Sequence, residues 1–234
     1  MVRLRMLVLN RYGPVAASSR LRSFQFAPWF EREGIECTFQ ALFNDSAVTR
    51  RYAEGAYGVS CLVRAYAERV GALLTRRQFD LVWIEKEALP WMPTTIERLL
   101  LSGVPYVLDF DDAVFHNYDL HPSVFVRRFF GARIDRLMNR ASLVIAGNEY
   151  LAQRARDAGC SRVEVIPTVI DLNRYPPKRS IADDDTVCRI VWIGSPSTSK
   201  YLRLLEAPFK ALSNTHTFKL RVIGGGGFAS SSAW

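Results

Sequence analysis

Short, unbroken apolar runs alternate along this chain with longer amphipathic stretches. Leu4–Leu9, Ile35–Leu42, Leu81–Ile84, Tyr106–Leu108, Leu143–Ala146 and Val163–Ile166 read as six buried strands, most of them closed by turn or charged residues. Between them, helical spacing predicts helices from Ser18 or Ser19 (either able to cap it) to Glu33, over 58–77, over 93–101, over 123–140 and over 149–158. Gly34, Gly103 and Gly159 mark three of the helix ends. Continuous rather than alternating apolar strands point to a parallel sheet covered on both faces by helices. In such a sheet, functional groups belong in the loops at the carboxyl ends of the strands.

The rhythm breaks at 167–185, where Pro176-Pro177, Lys178-Arg179 and Asp183–Asp185 make a linker composition. It then restarts. Arg189–Gly194 reads as a strand and turn, a helix follows from Ser197 or Thr198 to about Leu212, and Leu220–Ile223 is another strand. The expected organisation is therefore a Rossmann-like parallel-sheet domain over 1–180, followed by an incomplete Rossmann-like β-α-β unit over 181–234. At 234 residues, with 49 % apolar and 23 % charged residues, the chain can bury a core without staples, and disorder is excluded.

The longest run without Asp, Glu, Lys or Arg is Val222–Trp234, mostly Gly, Ala and Ser, so no membrane-spanning helix is expected. Arg3 and Arg5 precede only Met6–Leu9, too short for a signal-peptide core, which leaves the cytoplasm as the expected location. Cys37, Cys61, Cys160 and Cys188 are scattered without a CxxC pair and read as free thiols. The formal charge of +8 favours phosphates, nucleic acid or anionic lipid. The arginines are dispersed and no nucleic-acid-binding motif is present, so a nucleic-acid partner is not expected.

Several constellations can carry chemistry. Asp109-Phe110-Asp111-Asp112 follows a strand; its carboxylates can accept sugar hydroxyls, cap the next segment or bind a divalent metal, the last being the least favoured. His116 and His121 lie beyond, without the spacing of a zinc site, and His216 lies in a polar turn. Ser18-Ser19-Arg20-Leu21-Arg22, after Gly13-Pro14, opens a helix and suits either an anion or plain capping. Gly194-Ser195-Pro196-Ser197-Thr198-Ser199-Lys200 joins strand to helix and can cradle a diphosphate or form a capping box. Gly224–Ala229 matches GxGxxG/A but lacks the following helix and acidic residue, so a flexible loop is expected. Along 123–140, Arg127, Arg128, Arg133, Arg136 and Arg140 alternate with apolar residues; this basic helix either lies on an anionic membrane or packs its apolar stripe on the core.

The order of these pieces resembles the retaining family 4 glycosyltransferases of the GT-B fold. Tyr106–Phe115, Ala146–Leu151, Val165–Asp171 with Tyr175, and Trp192–Thr198 with Tyr201-Leu202 carry the resemblance across nearly the whole chain. It implies two facing Rossmann-like domains: an N-terminal acceptor side and a C-terminal nucleotide-sugar side. It implies transfer of a sugar, with retention, to a glycan or lipid-linked acceptor, without metal or cofactor, the nucleotide-sugar being substrate. It implies catalytic roles for Asp111 and Asp112, donor-phosphate roles for Gly194, Ser195, Thr198 and Lys200, and acceptor roles for Gly13, Arg20, Arg22, Asn148 and Glu149. Such an enzyme, in polysaccharide synthesis of the cell envelope, would touch the inner face of the membrane through 123–140. Asp111 stands where many members carry histidine, and Ser195 where they carry arginine. The family's later Glu-x7-Glu segment does not appear, so this chain is expected to be inactive by itself or a binding half that needs a partner.

Overall fold

The computed structural model describes residues 3–176, 187–196 and 198–225. The chain divides into two compact units, Met1–Tyr175 and Pro176–Trp234. Part of the expected linker (177–186), Ser197 and the end of the expected glycine loop (226–229) lie outside the described residues.

The first unit is a doubly wound parallel sheet. Its strands are β1 (Leu4–Tyr12), β2 (Ile35–Phe43), β3 (Leu81–Glu85), β4 (Tyr106–Phe110), β5 (Leu143–Ala146) and β6 (Val163–Val165). They lie in the order β2-β1-β3-β4-β5-β6, every pair parallel. Met6, Leu7, Val8 and Leu9 are all buried. Successive strand residues face opposite sides, so this run requires cover on both faces of the sheet. The central core joins Leu7, Leu9, Ile84, Leu108, Phe110 and Val144 to the inner faces of the helices.

Ten α-helices are described: α1 (Ala17–Arg22), α2 (Ala27–Arg32), α3 (Asp45–Glu54), α4 (Val59–Leu74), α5 (Thr94–Leu100), α6 (His116–Asp119), α7 (Val124–Phe130), α8 (Arg133–Met138), α9 (Glu149–Asp157) and α10 (Glu206–Ser213). The helix expected from Ser18 or Ser19 to Glu33 is broken in two. Ser23 leaves helical geometry, and Pro28 sits in the first turn of α2, where its missing N–H costs nothing. Neither serine caps α1; Ala16 precedes it without a side-chain cap. The basic helix expected over 123–140 is also two helices. At the break, any Cβ on Gly131 would meet the Arg127 carbonyl at 2.4 Å. The helix α3, not expected from the sequence, is capped by Asn44, whose side chain accepts from the Ala47 N–H at 2.9 Å.

The split at Gly131 separates two fates. α8 turns inward and buries Arg133, Ile134, Leu137 and Met138. The fully buried Arg133 guanidinium lies against the buried carboxylates of Glu87 and Glu97 and donates to the Leu89 carbonyl at 2.6 Å. α7 instead leaves Val124, Phe125 and Phe129 exposed beside Arg127 and Arg128.

The second unit, taken by itself, is a β-α-β piece. β7 (Cys188–Ile193) pairs in parallel with β8 (Phe218–Ile223) in unbroken register. They are joined by a 3-10 stretch (Ser199–Leu205) and α10, in place of the single helix expected there. Leu202 and Phe209 are its buried apolar residues among those described, and Phe209 packs on Phe218 with ring centroids 5.5 Å apart.

Replacing Arg133 with alanine leaves the buried Glu97 without its ion-pair partner and Glu87 with Arg11 alone, which costs about 3–5 kcal/mol. A urea unfolding curve of the Arg133→Ala chain is expected to lose stability on that scale. Arg136→Ala, in the same helix but exposed, is expected to stay within about 0.5 kcal/mol of the parent.

Candidate functional site

The strand order reverses direction at β1, which lies between β2 and β3. At such a switch point the loops leaving neighbouring strands diverge and open a crevice at their carboxyl ends. Asn10 and Arg11 lie at the carboxyl end of β1, and Glu85 ends β3 with Lys86 directly after it. The end of β4, beside β3, adds Asp109, Asp111 and Asp112. A polar cluster therefore occupies the place where this architecture puts ligands.

Glu85 organises one side of it. Its buried carboxylate accepts from Ser19 Oγ at 2.7 Å, Asn10 Nδ2 at 3.1 Å, the Arg11 N–H at 3.2 Å and Ser18 Oγ at 2.8 Å. Ser18 Oγ also lies 2.7 Å from Asp111 Oδ2. A hydroxyl has one hydrogen, so Ser18 can serve only one of the two carboxylates at a time. The serines expected as caps thus turn out to be inward hydrogen-bond donors from the first turns of α1.

Lys86 organises the other side. Its φ of 66° places it in the left-handed region, which a non-glycine residue adopts at a cost of about 1 kcal/mol or more. Its nearly buried ammonium stands 3.0 Å from Asp111 and 2.8 Å from Asp112. A lysine ammonium sits between these carboxylates, where the metal reading would put a cation. Among the described residues, no group of three or more His, Cys, Asp or Glu side chains is arranged to hold a metal ion.

The two aspartates that flank Phe110 are in opposite electrostatic states. Burial pushes the Asp109 carboxyl up to about 6, against the opposing pull of Arg22. Burial also works to raise Asp111, but the Lys86 ammonium and the Ser18 hydroxyl outweigh it and hold Asp111 below the ordinary carboxylate value. Asp109 pairs with Arg22, whose Nε lies 3.0 Å from Oδ1. The same guanidinium donates to the Ile166 carbonyl at 2.8 Å and reaches Thr168 Oγ1 at 3.4 Å.

The remaining residues singled out in the sequence are placed as follows. Gly13 lies against Asp45; a Cβ there would come 2.3 Å from Asp45 Oδ1. Arg20 folds back on its own loop and donates to the Pro14 and Val15 carbonyls at 3.0 and 2.9 Å. Asn148 caps α9 by accepting from the Leu151 N–H at 3.0 Å, and the exposed Glu149 pairs with Arg156. Gly147 leaves β5 against the end of β4, its N–H donating to the Phe110 carbonyl at 2.7 Å. His116 contacts Asp119 and Tyr150, while His121 Nδ1 accepts from the Ser123 N–H.

In the second unit, Ser195 and Thr198 close a tight turn on themselves. Thr198 Oγ1 accepts from the Ser195 N–H and donates to the Ser195 carbonyl, each at 3.0 Å. The Gly194 N–H is engaged by the Ile223 carbonyl at 3.1 Å, and the Lys200 ammonium lies 5.2 Å from the Tyr201 ring centroid.

Sequence reasoning missed Glu85 and Lys86. The signal was present: Glu85-Lys86-Glu87 breaks directly from the apolar run Leu81–Ile84, as Asp109 does from Tyr106–Leu108.

A parallel sheet with its polar site at the switch point, followed by a second β-α-β unit, is consistent with the GT-B fold, and the family match makes the chain a glycosyltransferase of this type. The chain belongs to the glycosyl transferase 4-like domain family, whose profile matches residues 11–168, more than half of its length. No curated protein sequence matches it. Among solved structures, the chain is similar to HepE of Anabaena, determined with UDP and glucose. The identity is 15 % over 94 % of this chain and 69 % of that one, with a TM-score of 0.50. It is also similar to the glycosyltransferase of kitacinnamycin, at 13 % identity over 99 % of this chain and 68 % of that one, with a TM-score of 0.53. At these identities the likeness establishes the fold alone.

Carboxyl-selective NMR is expected to give an Asp109 midpoint near 6 and an Asp111 midpoint below the ordinary value. In Lys86→Met the Asp111 midpoint is expected to move upward. The raised Asp109 value has a stability consequence. Its contribution is fully present below the unfolded-state value of about 3.9 and is lost as pH rises through about 6.

Proposed function

We propose that this chain takes part in transferring a sugar from a nucleotide-sugar to a glycan or lipid-linked acceptor, with retention of anomeric configuration. Residues 1–180 serve the acceptor side and 181–234 contribute to the donor side. The observation that carries this reading is the cluster of Glu85, Lys86, Asp111, Asp112 and Ser18 at the switch point of a chain belonging to this family. The complex of HepE with UDP and glucose supports a nucleotide-sugar as the donor class.

In this reading Asp111 is the ionised carboxylate that orients sugar hydroxyls, and Asp112, the more exposed of the two, accepts alongside it. Lys86 balances both charges and fixes their separation. In the second unit, the Gly194–Lys200 turn supplies donors to the diphosphate, where negative charge develops as the sugar leaves. For Lys200 this requires the ammonium to leave the Tyr201 ring for phosphate. Arg20, Arg22 and Gly13 shape the acceptor side, and Asn148 and Glu149 mark its far rim. No metal and no cofactor enter the reaction.

The test incubates the chain with radiolabelled nucleotide-sugars and a lipid and polysaccharide extract, followed by NMR of the new anomeric centre. Any transfer is expected to proceed with retention and to fall at least about a hundredfold in Asp111→Asn. An inverted product would overturn the retaining assignment. Glycan binding without any transfer would favour a non-catalytic acceptor-binding module.

We further propose that α7 rests on the inner face of the cell membrane. Val124, Phe125 and Phe129 are each at least 60 % exposed, and Arg127 and Arg128 lie in the same two turns, a pairing that suits anionic lipid. No helix among the described residues is long and apolar enough to cross a membrane. Flotation with phosphatidylglycerol vesicles is expected for the parent chain and is expected to be lost in a Phe125→Asp, Phe129→Asp double variant. Equal flotation of both would refute the contact.

A further inference from the structure

The loop from Lys86 to Pro93 carries both of the non-glycine residues with positive φ among those described, Lys86 at 66° and Trp91 at 61°. Lys86 spends its strain on Asp111 and Asp112. Trp91 makes no ion pair in exchange for its strain, and the residue is 46 % exposed. A bulky aromatic in this backbone region persists only where its surroundings over-determine it.

Here they do. Tyr66 Oη donates to the Pro90 carbonyl at 2.7 Å, and the Trp91 N–H donates to Tyr118 Oη at 3.1 Å. Arg133 donates to the carbonyls of Leu89 and Met92 on either side. Tyr118 and His121 meet the indole in T-shaped contacts, with ring centroids 4.8 and 5.8 Å away. Peptide groups on both sides of Trp91 and two neighbouring rings therefore fix one orientation of a side chain that remains half open to solvent. Packing alone needs no exposed ring. A membrane anchor needs no fixed orientation, because lipid imposes none. A rigid ligand that stacks on the ring needs both.

We propose that Trp91, braced by Tyr118 and His121, is a stacking platform for a sugar ring of a glycan. Pyranose rings bury a C–H face against the indole face through dispersion and apolar burial. This inference rests on the acceptor-side reading of the first unit, and extends it to a residue outside the carboxylate cluster.

The test compares the fluorescently labelled chain with Trp91→Gly, Trp91→Asn and Trp91→Phe on a printed microarray of microbial oligosaccharides, together with thermal unfolding of each. Gly and Asn both adopt positive φ readily, so the ring is removed while the backbone is relieved. The parent and Trp91→Phe are expected to retain a common set of glycans. Both ringless variants are expected to lose them by about tenfold or more, with unfolding midpoints no more than about 3 °C below the parent. Equal retention by the ringless variants would overturn the platform and leave the acceptor-side reading standing. No glycan retained by the parent would overturn both the platform and the glycan form of the acceptor-side reading. A fall in midpoint beyond about 10 °C in both ringless variants would make Trp91 a packing residue instead. Loss of vesicle flotation with unchanged glycan retention would reassign it to the membrane.

Discussion

Everything at the site depends on how the chain after β3 survives burial. Lys86 to Pro90 is irregular backbone held inside the core, where an unpaired peptide group costs about 1–3 kcal/mol. Regular structure cannot pair these groups, so long side chains do. Arg69, fully buried on α4, donates to the carbonyls of Ala88, Asn10 and Gln40 and so ties the loop to the ends of β1 and β2. Its burial lowers its pKa to about 9, yet it remains cationic at neutral pH because Glu97 and Glu85 oppose the shift. Glu97 accepts from the Ala88 N–H at 2.7 Å, and Arg133 closes the set at Leu89 and Met92. Buried charge here is structural: it replaces a hydrogen-bond ladder.

This anchoring explains why two strained residues can coexist in a single loop. With its middle fixed by Arg69, Glu97 and Arg133, the loop can enter and leave the core only through sharp bends. Those bends fall at Lys86 and Trp91. The first aims an ammonium at the carboxylates beyond β4, and the second turns an indole outward. Glu87 joins the two halves, since its carboxylate accepts from Tyr118, which braces Trp91, and pairs with Arg11 beyond Asn10. Through Glu87, the contacts that hold the loop and those at the end of β1 are joined.

The sheet was legible in the sequence because buried parallel strands are written as continuous apolar runs, and all six are present within a few residues of the expected bounds. The helices were less legible. Pro28 and Gly131 interrupt patterns whose apolar spacing alone continues through them, and α3 is signalled by its Asn44 cap rather than by an apolar stripe. At the site, Asp111 and Asp112 were visible as carboxylates at a strand end. Lys86 was not, because a lysine between two glutamates reads as solvated surface until the fold brings β3 and β4 side by side. Ser18 and Ser19 were visible but misread: helix capping is the commoner use of paired serines, and only the position of Glu85 shows them turned inward.

Asp109 and Asp111 show how one strand end can hold two carboxyls in different states. They stand two residues apart, on the same side of the pleat by period. Asp109 is still within β4 and is almost fully buried; Asp111 lies just past the strand, where Lys86 and Ser18 can reach it. Burial dominates at the first and charge pairing at the second, so the pair divides between a proton-retaining group and a firmly ionised one. The division assigns different work to each. An ionised Asp111 can accept hydroxyls from a ligand. Asp109 faces Arg22, and Arg22 in turn holds the Ile166 carbonyl, while Gln25 holds that of Val169 at 2.9 Å. These contacts fix the path of the chain as it leaves β6. Arg22 therefore acts by positioning that segment against the site.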